Sequence, residues 1–220
     1  DETYAKSAIL NNKRKIGYIY LPMFYADFTR NGAHKCATDM KKELEKLKAQ
    51  GVEGIIVDLR DNGGGSLQEV VEMAGLFIPR GPVVQVKDKA GKVYVMDDKN
   101  PDVTWDGPLA ILINHNSASA SEILAAAIQD YKRGIIVGSK HSYGKGTVQN
   151  VIDLNQFIRG NSYGDLGALK TTIQKFYRIN GGSTQREGVQ SDIVFPDRFS
   201  YLDMGERDEE SALPWDKIEP

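Results

Sequence analysis

The spacing of apolar residues changes repeatedly along the chain, and each change marks a predicted element. Residues 15–21 (KIGYIYL) are β-branched and aromatic and stop at Pro22, which predicts a strand. Over residues 34–50 the period becomes helical, with Met40, Leu44 and Leu47 three or four apart and Gly51 as the stop. Residues 54–59 form a short continuous apolar run, the signature of a strand buried on both faces. The run Asn62-Gly63-Gly64-Gly65 follows, and residues 67–78 then read as a helix closed by Pro79 and Gly81.

A hairpin is predicted from residues 83–86 and 93–96 around Ala90-Gly91. Residues 109–113 give another buried strand. Residues 119–131 give a strong helix whose inner stripe is Ile123, Leu124, Ala127 and Ile128. Strands follow at 135–137, 147–154 and 171–179, with Asn180-Gly181-Gly182 as a turn. Strand–helix–strand units repeated in this way predict right-handed crossovers and a mixed α/β sheet covered by helices. There is no internal repeat and no low-complexity tract, so one domain is expected.

Composition narrows the function classes only a little. A chain of 220 residues can bury one sizeable core. The net charge of -2 gives no reason to expect nucleic acid, which usually demands a basic face. Asp203, Glu206, Asp208, Glu209 and Glu210 read as a solvated acidic loop. The single cysteine, Cys36, cannot form an internal disulfide and reads as a small core residue. No stretch approaches the ~18 apolar residues of a membrane span. No signal peptide is visible, and the start at Asp1-Glu2-Thr3 reads as that of a processed or excised piece.

The chemistry concentrates where residues 114–122 join a buried strand to the start of the long helix. A hydroxyl there sits beside unpaired backbone N–H groups and the positive end of the helix dipole, which suits an oxyanion formed by acyl transfer. Ser119 and Glu122 also have the spacing of a capping box, which needs no catalytic role. Ser117, Ser119 and Ser121 are not distinguished by position alone. A serine nucleophile needs a base. Among His34, His115 and His141, only His115 lies near in sequence, and no carboxylate is placed to orient it.

Lysine is the other candidate base. Lys145 lies between Gly144 and Gly146 where a loop enters a strand, so it can turn inward. Lowering a lysine pKa from about 10.4 by ~3 units takes about 4 kcal/mol, which burial can supply. The loop is not a P-loop. Its glycines are one residue too far apart, Gly146 replaces the magnesium-binding hydroxyl, and a strand rather than a helix follows. Asn62-Gly63-Gly64-Gly65 offers backbone amides of the kind that line anion-binding concavities, and no dinucleotide fingerprint is present.

Together these segments resemble the carboxy-terminal processing, or tail-specific, proteases. The resemblance rests on residues 57–65 (VDLRDNGGG), 117–122 (SASASE), Gln129-Asp130, 144–149 (GKGTVQ), 174–185 (QKFYRINGGSTQ), 188–193 (GVQSDI) and 212–218 (ALPWDKI). These motifs run in one order through most of the chain, and the last is similar to the periplasmic tail-specific branch. The loop between Asp130 and Lys145 is one residue longer than the family pattern.

The resemblance implies a crotonase/Clp-protease-like mixed sheet with flanking helices. It places the nucleophile on Ser119, which Ala-Ser-Glu follows, the base on Lys145 and its partner on Gln149. It assigns the oxyanion hole to the backbone N–H groups of Ala120 and of Gly63 or Gly64. An extended strand would hold positions 145 and 149 ~13 Å apart, so the flanking glycines are expected to bend the chain.

It further implies a bacterial envelope or periplasmic location. Substrates are expected to be proteins or peptides with an accessible C-terminus, membrane-associated ones among them, and no metal or organic cofactor is expected. Residues 15–198 are expected to form the serine-lysine protease core. Residues 1–14 read as a linker or strand following a PDZ module that the chain lacks, and residues 199–220 as a connector. The competing expectations are a peptide-binding core that does not cleave and a crotonase-like acyl-CoA enzyme.

Overall fold

The computed structural model describes residues 4–27, 34–158, 164–197, 201–202 and 204–220. Asp203 of the acidic group therefore lies outside the described residues. The elements in chain order are β1 (Lys6–Asn11), β2 (Lys15–Tyr20), α1 (Cys36–Ala49), β3 (Gly54–Asp58) and α2 (Leu67–Ala74). There follow β4 (Gly81–Asp88), β5 (Val93–Asp98), β6 (Leu109–Ile113), α3 (Ala120–Asp130) and β7 (Ile135–Gly138). The last are β8 (Thr147–Asp153), β9 (Ala168–Tyr177) and β10 (Ile193–Val194).

Two sheets result. The six-stranded sheet has the order β1-β2-β3-β6-β7-β10 and is parallel from β2 onward, with β1 antiparallel at one edge. The four-stranded sheet, β5-β4-β9-β8, is antiparallel throughout. The mixed α/β fold expected from the alternating periods is the observed one. Ile19, Val57, Ile111 and Ile136 lie side by side across the large sheet and are fully buried.

Helix α1 turns Met40, Leu44 and Leu47 inward as its periodicity predicts, and Cys36 is buried at its start. Helix α3 is buried more completely than its stripe suggests, with every residue from Ala120 to Ile128 inaccessible. It packs against β4, β7 and α2 at once, so few of its sides meet water. Its small residues Ala125, Ala126 and Ala127 permit that close approach.

Helix α2 ends at Ala74, short of the expected 78. The Leu76 carbonyl accepts from the N–H groups of Thr104 and Trp105, and Phe77 and Ile78 both donate to Ala74 in tight turns. Tertiary bonds thus compete with the last helical turn. The predicted hairpin turns at Ala90-Gly91, where Gly91 takes a φ of 84°.

Segments flanking the expected core also join the fold. β1 pairs along its length with β2. Near the C-terminus, Trp215 donates to the Ser183 carbonyl, Asp216 pairs with Lys175, and Ile218 donates to the Gly181 carbonyl.

Candidate active site

Three loops meet above the ends of β3 and β6. The first leaves β3 and is braced at its root, where buried Asp58 takes a bidentate pair from Arg60 and a 2.5 Å hydrogen bond from Tyr18 Oη. Asn62 then organises it. Its side chain donates to the Leu21 carbonyl and accepts from Gly64 N–H, while its carbonyl accepts from Ala118 N–H and Ser121 Oγ. The second loop leaves β6 and becomes α3 at Ser119.

The three serines now separate. Ser117 is buried, donates to the Leu59 carbonyl and accepts from Asn114 N–H. Ser121 is buried on the Asn62 carbonyl. Ser119 alone faces the cleft, at the N-cap of α3 with φ 57° and ψ -113°. A non-glycine residue in that region is strained, and a sharp strand-to-helix turn of this kind pushes a hydroxyl out of the fold.

Gly64, at φ 105°, lies directly beneath it. A Cβ there would sit 2.8 Å from Ser119 Cβ and 2.9 Å from the Ala118 carbonyl. Gly64→Ala is therefore expected to destabilise the protein by about 2 kcal/mol and to displace Ser119. Urea unfolding and a peptide-cleavage assay on the same variant check both.

The third loop, residues 139–146, carries Lys145 into β8. Gly146 N–H donates to Gln185 Oε1, Thr184 Oγ1 donates to the Lys145 carbonyl, and Tyr143 N–H donates to the Ser117 carbonyl. Lys145 Nζ lies 2.6 Å from Gln149 Oε1. The gap expected for an extended chain closes because Lys145 precedes the strand, Gly144 takes φ 93°, and a bulge falls between Val148 and Gln149. Burial pulls the Lys145 amine below its ordinary value of 10.5. Nearby Lys170 lowers it further, against opposing pulls from Glu206, Glu122 and Glu209.

The second and third loops are joined by a residue that the sequence marked only as a helix cap. Glu122 is completely buried and accepts four hydrogen bonds. They come from Ser119 N–H at 2.8 Å, Lys145 N–H at 2.9 Å, Gly144 N–H at 2.7 Å and Ser142 Oγ at 2.6 Å. One carboxylate thus fixes the backbones of Ser119 and Lys145 relative to each other. Burial pushes it up to about 7, against the pull of its hydrogen bonds. An acid in an otherwise apolar helix face was the available signal.

Ser119, Ala120, Lys145, Gln149 and Gly63 line one cleft of about 210 Å³, floored by apolar side chains including Leu67, Ile123 and Phe176. Of the glycine pair, Gly63 lines this cleft, whereas the Gly64 N–H is already bonded to Asn62. Ala120 is the first residue of α3, where N–H groups have no intrahelical acceptor. His115 and His141 line a different cavity with Ser139 and Phe195, so neither is placed beside Ser119. Among the described residues, no group of three His, Cys, Asp or Glu side chains is arranged to hold a metal ion.

Residues 15–195 match the model of peptidase family S41. The chain belongs to this family. As an S41 member it is 50% identical over 205 residues to the tail-specific protease of Haemophilus influenzae, covering 93% of this chain and 28% of that protein. It is 34% identical over 194 residues to a carboxy-terminal-processing protease of Bartonella bacilliformis, covering 86% of this chain and 42% of the relative. The S41 chain thus spans well under half the length of these relatives. A solved photosystem II D1 C-terminal processing protease superimposes with a TM-score of 0.69 at 26% identity, over 87% of this chain and 48% of that one.

Proposed function

We propose that this S41 chain carries the proteolytic core of a serine endopeptidase, with Ser119 as nucleophile and Lys145 as general base. The observation that carries the reading is the shared cleft. A serine on a strained elbow and a lysine whose proton is loosened by burial line one hollow, and Gln149 holds the amine. Neutral Lys145 takes the proton from Ser119 Oγ as the Oγ–carbon bond to the scissile carbonyl forms. The oxyanion accepts from the N–H groups of Ala120 and Gly63. Protonated Lys145 then gives its proton to the leaving nitrogen as the carbon–nitrogen bond breaks. The same amine, neutral again, deprotonates the water that releases the acyl group and regenerates the Ser119 hydroxyl.

The names of the relatives support protein substrates selected by their C-terminal tails. We assign the core to residues 15–198 and tail capture to a PDZ module elsewhere in the parent protein. The bacterial relatives support a periplasmic or envelope setting, with membrane-associated proteins among the substrates. No helix among the described residues is long and apolar enough to cross a membrane.

The pH profile tests the base. Protonated Lys145 cannot accept the serine proton, so kcat/KM rises with pH and levels off where the amine is neutral. Because burial favours the neutral amine, the midpoint of that rise is expected below 10.5. A serine-directed acylating probe should label Ser119 with the same pH dependence. Labelling of Ser117 or Ser121 instead, or a pH-independent rate, would overturn the assignment.

A further inference from the structure

We infer that Lys170 is a specificity-determining residue of this cleft and binds a carboxylate of the substrate, an inference that rests on the proteolytic reading above. The β8–β9 register places it. Gln149 pairs with Thr172, and Val151 pairs with Lys170. Paired residues of antiparallel strands share a face, as do alternate residues of one strand. Lys170 therefore stands on the face that presents Gln149, one pair farther along and ~7 Å away on the diagonal. Both side chains line the same cleft as Ser119.

The charged side chains that line that cleft are of one sign, while Glu206, Glu122 and Glu209 act on Lys145 from outside the lining. Its lining holds two lysines, Lys145 and Lys170, and no aspartate or glutamate. Among the described residues none forms an ion pair with Lys170. Lys145 is occupied by Gln149 and must be neutral to act, so it is unsuited to holding an anion. Lys170, exposed at the wall of a hollow whose floor is apolar, has no ion-pair partner among the described residues.

A substrate complementary to this surface offers an apolar side chain to Leu67, Ile123 and Phe176 and a carboxylate a few residues away toward the hairpin. That carboxylate is either an acidic side chain or the end of the chain. Binding it also screens the field that Lys170 exerts on Lys145, so recognition and the readiness of the base are linked through one residue.

The test compares an apolar peptide carrying a glutamate near the scissile bond, its glutamine form, and each with a free or amidated C-terminus. Wild-type protein is expected to prefer the carboxylate-bearing forms by roughly threefold to tenfold in kcat/KM. Lys170→Ala should bring that ratio to about one, Lys170→Glu should invert it, and Lys170→Arg should keep it. Loss of the preference on amidation identifies the chain terminus as the ligand, and loss on Glu-to-Gln exchange identifies a side chain.

Fluorescence anisotropy with the Ser119→Ala variant, alone and combined with Lys170→Ala, measures the same ratio without cleavage. A binding preference that needs Lys170, found together with no cleavage of these peptides by the wild-type protein, would uphold the inference and refute the proteolytic reading. Ratios identical with and without Lys170, in cleavage and in binding, would overturn the inference.

Discussion

Lys145→Ala is expected to lower kcat/KM for peptide cleavage by roughly 10²- to 10⁴-fold, the usual contribution of general acid–base catalysis. Ser119→Ala should lose at least as much. The two residues act in one proton transfer, so the double variant should fall no further than the worse single one. Lys145→Arg is expected to be equally inactive, because a guanidinium stays protonated at any working pH. Folding should survive all of these. The Lys145 backbone N–H that Glu122 holds is untouched, and among the described residues the side chain bonds to Gln149 alone at the cleft wall. Stopped peptide cleavage with an unchanged unfolding midpoint is the expected pair of results. Retained cleavage in Lys145→Ala would remove the dyad from the mechanism.

Glu122→Ala should have the largest effect on stability. It strips the acceptor from three backbone N–H groups and the Ser142 hydroxyl, all inside the fold. Leaving such donors unpaired costs on the order of 3–5 kcal/mol. Cleavage should collapse as well, because Ser119 and Lys145 lose their common tether.

The pH dependence gives Glu122 a separate signature. Its carboxyl titrates near 7 in the folded protein against an ordinary 4.5, so the folded state holds the proton more tightly. The associated stability is fully present below 4.5 and is lost as pH rises through 7. The whole change amounts to about 3 kcal/mol at most. Glu122→Gln cannot titrate, so the stability difference between wild type and this variant should shrink as pH rises from 4.5 through 7 and level off about one unit above that. A difference that is constant across that range, measured by urea unfolding, would show that Glu122 keeps its ordinary affinity for the proton.

The sequence alone determined the succession of strands and helices, because hydrophobic period is a local property: Met40, Leu44 and Leu47 had to share a helix face wherever that helix went. It also delivered the motif residues Ser119, Lys145 and Gln149 through resemblance, and the reach of Lys145 back to Gln149 was the part it left open. Several features lay beyond local reading. The three serines of residues 117–121 are chemically alike, and only the Leu59 and Asn62 carbonyls, brought from another loop, occupy two of them and leave Ser119 facing the cleft. The end of α2 was set by a carbonyl that Thr104 and Trp105 claim from 28 and more residues away. Glu122 looked like a helix cap because its longest-range partners, Gly144 and Lys145, arrive only when the third loop folds over α3. Lys170 was invisible for the same reason, since strand register rather than sequence spacing sets it beside Gln149. Period and motif are written along one segment, whereas a hydrogen bond or a shared cleft depends on which distant segments the packing brings within a few ångströms.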